Sequence, residues 1–217
     1  MHARYLIERV RDVLEILTAD TPNGIKIPIV AEELQIPYVV TKIDFWKNKP
    51  STLLAVNPNG RIPAIVDRAD QSNVVRVFES GAIMLYLADT YGGLIPQHPQ
   101  GRAETLSWLF LQVSGLGPSF GQAGHFLRGA PERLAYPTER FRAEAQRQLS
   151  LVDAQLSRSE WINGFDYSIA DIAYFSWLRS ASYAGLTTEG SVGITNWLQR
   201  ISERPAVQRA LAAMAES

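Results

Sequence analysis

The chain has no cysteine. That absence excludes disulfide scaffolds, thiolate zinc sites, C-x-x-C redox centres and any cysteine nucleophile of the protein's own. If sulfur chemistry occurs here, a ligand must bring the sulfur. Charge of one sign is also scarce, since 21 basic side chains stand against 22 acidic ones for a formal net charge of −1. Nothing in that balance points to nucleic acid or to an anionic membrane surface as partner. Long hydrophobic runs are missing; the densest, Ala82–Ala88, falls far short of the ~18 apolar residues of a membrane span. Residues 1–17 carry Arg4, Glu8, Arg9, Arg11, Asp12 and Glu15, so they lack the apolar centre of a signal peptide. The three histidines, His2, His98 and His125, have no metal-ligand spacing, and H-E-x-x-H and Walker loops are absent. Gly115-Leu-Gly117 lacks the preceding strand of a dinucleotide site. A cytoplasmic protein without a metal is the expectation.

What is present is ordinary globular material, 217 residues with 46% apolar and 20% charged side chains. At about 100–200 residues per domain this allows one large domain or two small ones. The first part alternates strand-like and helix-like patterns. Residues 13–18 read as a strand ended by the turn cluster Asp20-Thr-Pro-Asn-Gly24. Ile25, Ile29, Val30 and Leu34 suit a helix, with Pro28 in its first turn and Pro37 ending it. Residues 38–43, 62–66 and 74–77 read as further strands, and residues 79–91 as a closing helix. The order βαβ-ββα predicts a small mixed sheet covered by helices. After Gly92-Gly93 everything is helical in pattern: 102–120, 137–156, 168–180, 194–202 and 206–215. The chain shows no internal repeat. An α+β domain over 1–95 and an all-α domain over 102–217 are expected.

Four features of the first part are chemically suggestive together. Pro63 cannot donate to a sheet ladder, so it belongs at a strand's first residue, an edge or a turn. If Ile62–Pro63 is cis, the Ile62 N–H and C=O face outward, free to pair with another backbone like an added strand; the alternative is an ordinary strand start. Phe78-Glu79-Ser80-Gly81 opens a helix, and its N–H groups with Ser80 suit a carboxylate while Glu79 suits an ammonium, although a plain cap has the same residues. Thr21-Pro22-Asn23-Gly24 puts a hydroxyl, an amide and N–H groups at a helix start, where they could stabilise a thiolate or simply form a turn. Lys47, Lys49 and Arg61 are loop cations suited to a carboxylate or to solvent. Ser168-Ile-Ala-Asp171 is a capping pattern, read as structural.

In this order these motifs resemble the cytosolic glutathione transferases, and the resemblance covers nearly the whole chain after about residue 12. It rests on Thr21-Pro-Asn-Gly24, Asn57-Pro-Asn-Gly-Arg-Ile-Pro63, Phe78-Glu-Ser-Gly-Ala82 and Ser168-Ile-Ala-Asp171. Trp108-Leu-Phe-Leu-Gln112, Ser114-Gly-Leu-Gly-Pro118 and Tyr136-Pro-Thr-Glu-Arg140 make it similar to the nu-class and yeast-prion-like members. The resemblance implies a thioredoxin-like N-terminal domain, an all-helical C-terminal one and a homodimer. It implies glutathione held by the backbone of Ile62 beside a cis Pro63 and by Glu79 and Ser80 at its γ-glutamyl end. Asn23 would face the sulfur with Thr21 nearby, and Arg140 would add a cation. Ser114, Phe120, His125 and Phe126 would wall a pocket for an apolar electrophile.

Two departures from the family pattern stand out. The loop 44–51 looks shorter than in relatives, where a glutamine or histidine contacts the glycyl carboxylate, so Lys47 or Lys49 is the expected substitute. The leader 1–11 is longer than usual and is expected to be disordered. The expected activity is attack of a bound glutathione thiolate on an apolar electrophile. Disulfide reduction, and cis–trans isomerisation of a double bond in fungal secondary metabolism, use the same site. A non-catalytic scaffold is the alternative from another class.

Overall fold

A computed structural model describes residues 14–44 and 49–216. These divide into two compact units, one of residues up to 92 together with 205 onward, the other of residues 93–204.

The first unit is built on strands β1 (Leu14–Thr18), β2 (Tyr38–Lys42), β3 (Ala64–Asp67) and β4 (Val75–Phe78). They form one sheet in the order β2-β1-β3-β4, with β1 parallel to β2 and antiparallel to β3, and β3 antiparallel to β4. The helices are α1 (Lys26–Glu33), the short α2 (Ser51–Leu54) and α3 (Ser80–Tyr91). β1 and β3 are central strands and are apolar on both faces, as burial on both sides requires: Leu14, Ile16, Leu17, Ala64, Ile65 and Val66 are all buried. At the edge, β2 exposes Val39 and Lys42. Pro28 takes the third position of α1, where its missing N–H would have no intrahelical partner. β3 begins only after Pro63, because a proline in the strand proper would interrupt the ladder.

The final helix α9 (Pro205–Glu216, numbered in chain order) belongs with this unit. Sequence pattern alone groups it with the helical domain; packing groups it with α1. Ala206, Val207, Ala210 and Met214 are buried, and Arg209 Nε meets Glu32 Oε2 at 2.7 Å.

The second unit contains α4 (Pro99–Leu111), α5 (Gly117–Gly124), α6 (Ala135–Leu156), α7 (Ile169–Leu178) and α8 (Val192–Ser202). Ile169 through Ser176 are buried without a break, so α7 is the central helix, apolar all round as such a position demands. The single helix expected over 102–120 is instead α4, a π-helical turn (Gln112–Leu116) and α5, followed by a second π turn (His125–Gly129). Pro118 has no N–H to give the carbonyl four residues back, and the ladder widens at that point.

The capping pattern at Ser168 is realised. The Ser168 hydroxyl accepts from the Ala170 N–H at 3.2 Å, and Asp171 Oδ2 accepts from the Ser168 N–H at 3.0 Å. Asp171 also accepts from the Ile162 N–H at 3.0 Å and from Trp197 Nε1 at 2.9 Å. One buried carboxylate thus ties α7 to α8 and to the loop before α7.

Candidate functional site

Strand register gathers the suggestive segments of the first unit. Leu17 pairs with Ala64, and Ala64 pairs with Phe78, so these three residues form one rung of the sheet. The chain leaves that rung through Thr18 toward Thr21–Gly24, reaches it through Ile62–Pro63, and leaves it again through Glu79–Ser80. Three loops separated by some sixty residues therefore share one end of the sheet.

The first loop is fixed by two hydroxyls. Thr18, fully buried, donates to the Gly24 carbonyl at 2.9 Å, and the Gly24 N–H donates to Thr21 Oγ1 at 3.0 Å. Gly24 has to be glycine, because a Cβ there would stand 1.9 Å from the Ala19 carbonyl oxygen. Thr21 Oγ1 accepts from Gly24, so its own hydrogen points elsewhere. Thr21 and Asn23 are half-buried in the turn that leads into α1.

The second loop turns on Asn57, which is buried. Its Nδ2 donates to the Arg61 carbonyl at 2.7 Å and its Oδ1 accepts from the Asn59 N–H at 2.9 Å. Gly60 has φ +62, a conformation that favours glycine, and the stem of Lys49 lies against it. Lys49 Nζ donates to the Asn59 carbonyl at 3.3 Å, so Lys49 is tied to the same loop that presents Arg61, whose side chain is exposed. Ile62–Pro63 is cis. The main-chain N–H and C=O of Ile62 have no hydrogen-bond partner among the described residues. Lys47 lies outside the described residues.

At the third loop, Glu79 occupies the position before α3 with φ +71, ψ 119. A non-glycine residue in that region costs about 1–3 kcal/mol and tends to mark functional sites. Its side chain is exposed, whereas Ser80 is buried. Behind Ser80 stands a residue that sequence reasoning missed. Lys26, fully buried, reaches Ser80 Oγ at 3.4 Å. Burial pushes its ammonium pKa down to about 7, against the opposing pull of the Glu79 charge. The signal was in the sequence: Lys26 is a charge in a helix whose next five residues, Ile27-Pro-Ile-Val-Ala31, are all apolar and buried.

In the second unit the expected pocket residues differ in exposure and in neighbours. Ser114 is exposed in the first π turn, its hydroxyl donating to the Phe110 carbonyl at 2.8 Å. Phe120 is 1% exposed and is a core side chain of α5. His125 and Phe126 lie in the second π turn, ring centroids 5.2 Å apart, and Phe126 stacks on Phe141 of α6 at 5.6 Å. Arg140 lines a cavity of about 600 Å³ on α6 together with Ser119, Tyr136, Glu139, Phe141 and Glu144. Among the described residues no group of three or more His, Cys, Asp or Glu could hold a metal ion. No helix among them is long and apolar enough to cross a membrane.

Comparison with known proteins agrees with this arrangement. Residues 22–90 match the family model described as Glutathione S-transferase, N-terminal domain, and residues 118–205 match the corresponding C-terminal domain. The disulfide-bond oxidoreductase YfcG of Escherichia coli is 40% identical over 204 residues, covering 92% of this chain and 94% of that one. A glutathione transferase family member from Pseudomonas fluorescens, solved with two glutathione bound, superposes with TM-score 0.87 at 36% identity, covering 96% of each chain. A glutathione transferase from Pseudomonas putida, solved with one glutathione disulfide per subunit, superposes with TM-score 0.85 at 35% identity, covering 92% of this chain and 91% of that one.

Proposed function

The chain belongs to the glutathione S-transferase family of glutathione-dependent enzymes, and from that premise we propose that it reduces glutathione-linked disulfides with the thiol of bound glutathione. One observation carries this reading. A single end of the sheet offers main-chain groups at Ile62 that are unpaired among the described residues, a hydroxyl at Ser80 and a carboxylate at Glu79, which complement a zwitterionic peptide. The sequence meanwhile contains no sulfur nucleophile of its own. In this proposal the cysteinyl part of glutathione pairs with the Ile62 main chain as an added strand. Ser80 and Glu79 receive the γ-glutamyl carboxylate and ammonium. Lys49 and Arg61 are the described cations assigned to the glycyl carboxylate.

Asn23 and Thr21 are assigned to the sulfur. Donors aimed at a thiolate favour the charged form and lower the thiol pKa, each unit being worth about 1.4 kcal/mol. The thiolate attacks the glutathionyl sulfur of a mixed disulfide, RS–SG. A new sulfur–sulfur bond forms, the old one breaks, and the products are glutathione disulfide and RS⁻, which takes a proton from solvent. The protein's part is orientation and anion stabilisation. The oxidoreductase relative and the relative that holds glutathione disulfide support this chemistry.

The aromatic surface formed by Phe126, Phe141 and His125 favours a second reading, transfer of glutathione to an apolar electrophile. The 1–95 region is assigned to glutathione and the 102–217 region to the second substrate. A homodimer in the cytoplasm, where reduced glutathione is abundant, completes the proposal.

The test follows the fate of glutathione. With a glutathionyl mixed disulfide as substrate, the enzyme is expected to form glutathione disulfide, read by coupled reduction. With chlorodinitrobenzene, conjugation consumes glutathione without oxidising it, and isomerisation of an alkene leaves it unchanged. Disulfide formation no faster than the uncatalysed reaction removes the reductase reading.

A further inference from the structure

Lys26 is a charged side chain with no exposed surface, in a helix whose other buried residues are all apolar. Burying an ammonium is costly unless it serves a partner. Its Nζ lies 3.4 Å from Ser80 Oγ. An ammonium has three donors and no acceptor, so Ser80 Oγ must be the acceptor of that contact. The single hydroxyl hydrogen of Ser80 is then left to point away from Lys26. Among the described residues no acceptor takes it, although Ser80 is 6% exposed. A buried donor held without a protein acceptor is set up for one that arrives with a ligand.

We propose that Lys26 is a positioning residue for glutathione: by occupying the lone pair of Ser80 Oγ it commits the Ser80 hydroxyl to donate to the γ-glutamyl carboxylate, and it adds positive charge behind that bond. The inference rests on the reading of Glu79 and Ser80 given under Proposed function. It assigns a polarity that a serine alone does not have, since a hydroxyl can turn either way. A neutral amine at Lys26 would accept the Ser80 hydrogen and turn the oxygen lone pairs toward the incoming carboxylate, a repulsive arrangement.

Protonation of Lys26 therefore controls recognition, and burial brings its pKa to about 7. The described charged side chains on the helices packed against α1 are Glu79 just before α3, Asp89 in the last turn of α3, and Arg209 on α9. Arg209 is engaged at 2.7 Å with Glu32, almost two turns further along α1. Glu33 is the remaining charge on α1 itself. Glu79 is the charge that acts on Lys26, opposing the effect of burial.

The experiment is calorimetric titration with S-methylglutathione, which has no ionisable thiol, from about pH 5.5 to about pH 8.5. Wild type, K26M, S80A and the double variant are compared, with thermal unfolding of each as the check on folding. A second probe replaces γ-glutamyl by 4-aminobutyryl and so lacks the carboxylate. Wild-type affinity for S-methylglutathione is expected to fall as pH rises through about 7. K26M should bind about tenfold more weakly at the acid end and show no such fall. K26M and S80A should be less than additive, and the decarboxylated probe should bind wild type and K26M alike. If K26M does not fold, S80A decides, because it must abolish the pH dependence of wild type. Persistence of that dependence in S80A, or equal affinity and profile in K26M and wild type, overturns the inference alone. No binding of either probe to wild type overturns it together with the function on which it rests.

Discussion

Thr18 gives its hydroxyl hydrogen to the carbonyl of Gly24 at 2.9 Å, and with that bond the end of β1 fixes the loop that enters α1. The two residues are six positions apart, and the Gly24 N–H closes the turn on Thr21 at 3.0 Å. A Cβ at position 24 would meet the Ala19 carbonyl oxygen at 1.9 Å, a backbone atom that has no room to retreat. Gly24→Ala is therefore expected to cost at least about 3 kcal/mol in urea unfolding and to weaken glutathione binding strongly. Gly92→Ala is the comparison. Its φ of +78 is strained for alanine but nothing lies within 4 Å of the added carbon, so about 1 kcal/mol and unchanged binding are expected. Equal losses in the two variants would show that the Gly24 contact does not shape the site.

Thr21 accepts from Gly24 and has one hydrogen left to give. If that hydrogen and the Asn23 amide stabilise the sulfur anion, Thr21→Val should raise the thiol pKa of bound glutathione by about one unit, while Thr21→Ser leaves it near the wild-type value. The thiolate's ultraviolet absorbance, followed against pH, reads the shift directly. Asn23→Ala should lower turnover more than affinity, because an interaction with the anion matters most when the thiolate reacts. Unchanged turnover removes Asn23 from the mechanism.

These loops also show how far sequence could be read. Punctuation was legible: Thr21-Pro-Asn-Gly24, Pro63 and Ser168 each sit where their backbone chemistry restricts them. The sheet rung Leu17–Ala64–Phe78 was not, because register is a long-range pairing that no local pattern states. The two π turns were hidden for a similar reason. The missing N–H of Pro118 marks only the first of them, and nothing in the sequence marks the second. The last helix joins α1 through side chains that read equally well as the end of a bundle. Lys26 was overlooked because a lysine at a helix start normally faces water.

Asp171 is a buried carboxylate whose neighbours depend on it. Burial raises its pKa to about 6, with the bonds from Ile162, Trp197 and Ser168 opposing. The folded value lies above the unfolded one near 3.8, so the folded state binds the proton more readily between them. Its contribution to stability is full below about pH 4 and declines by about 3 kcal/mol as pH rises through about 6. Asp171→Ala should lack this decline, so the stability difference between wild type and variant should shrink as pH rises from about 4 to about 6. It should also cost about 3–5 kcal/mol at acid pH, because three N–H donors lose their acceptor at once. A pH-independent difference between the two proteins would contradict the assignment.

Lys26 runs the opposite way. Burial brings its pKa from 10.5 to about 7, so the unfolded chain holds a proton that the folded one releases between those values. Stability from this group is therefore lowest below about pH 7 and rises as pH climbs toward about 10.5. Lys26→Met carries no such charge and nearly matches the stem in volume. The variant should be more stable than wild type at pH 6 by about 2–4 kcal/mol, with the gap closing in alkali. Denaturant unfolding of both proteins across that range measures it. A methionine that stabilised the fold while weakening glutathione binding would separate the two roles, because loss of packing alone lowers stability and affinity together. A less stable variant at pH 6 would mean that the ammonium holds the fold, and that its contact with Ser80 is structural.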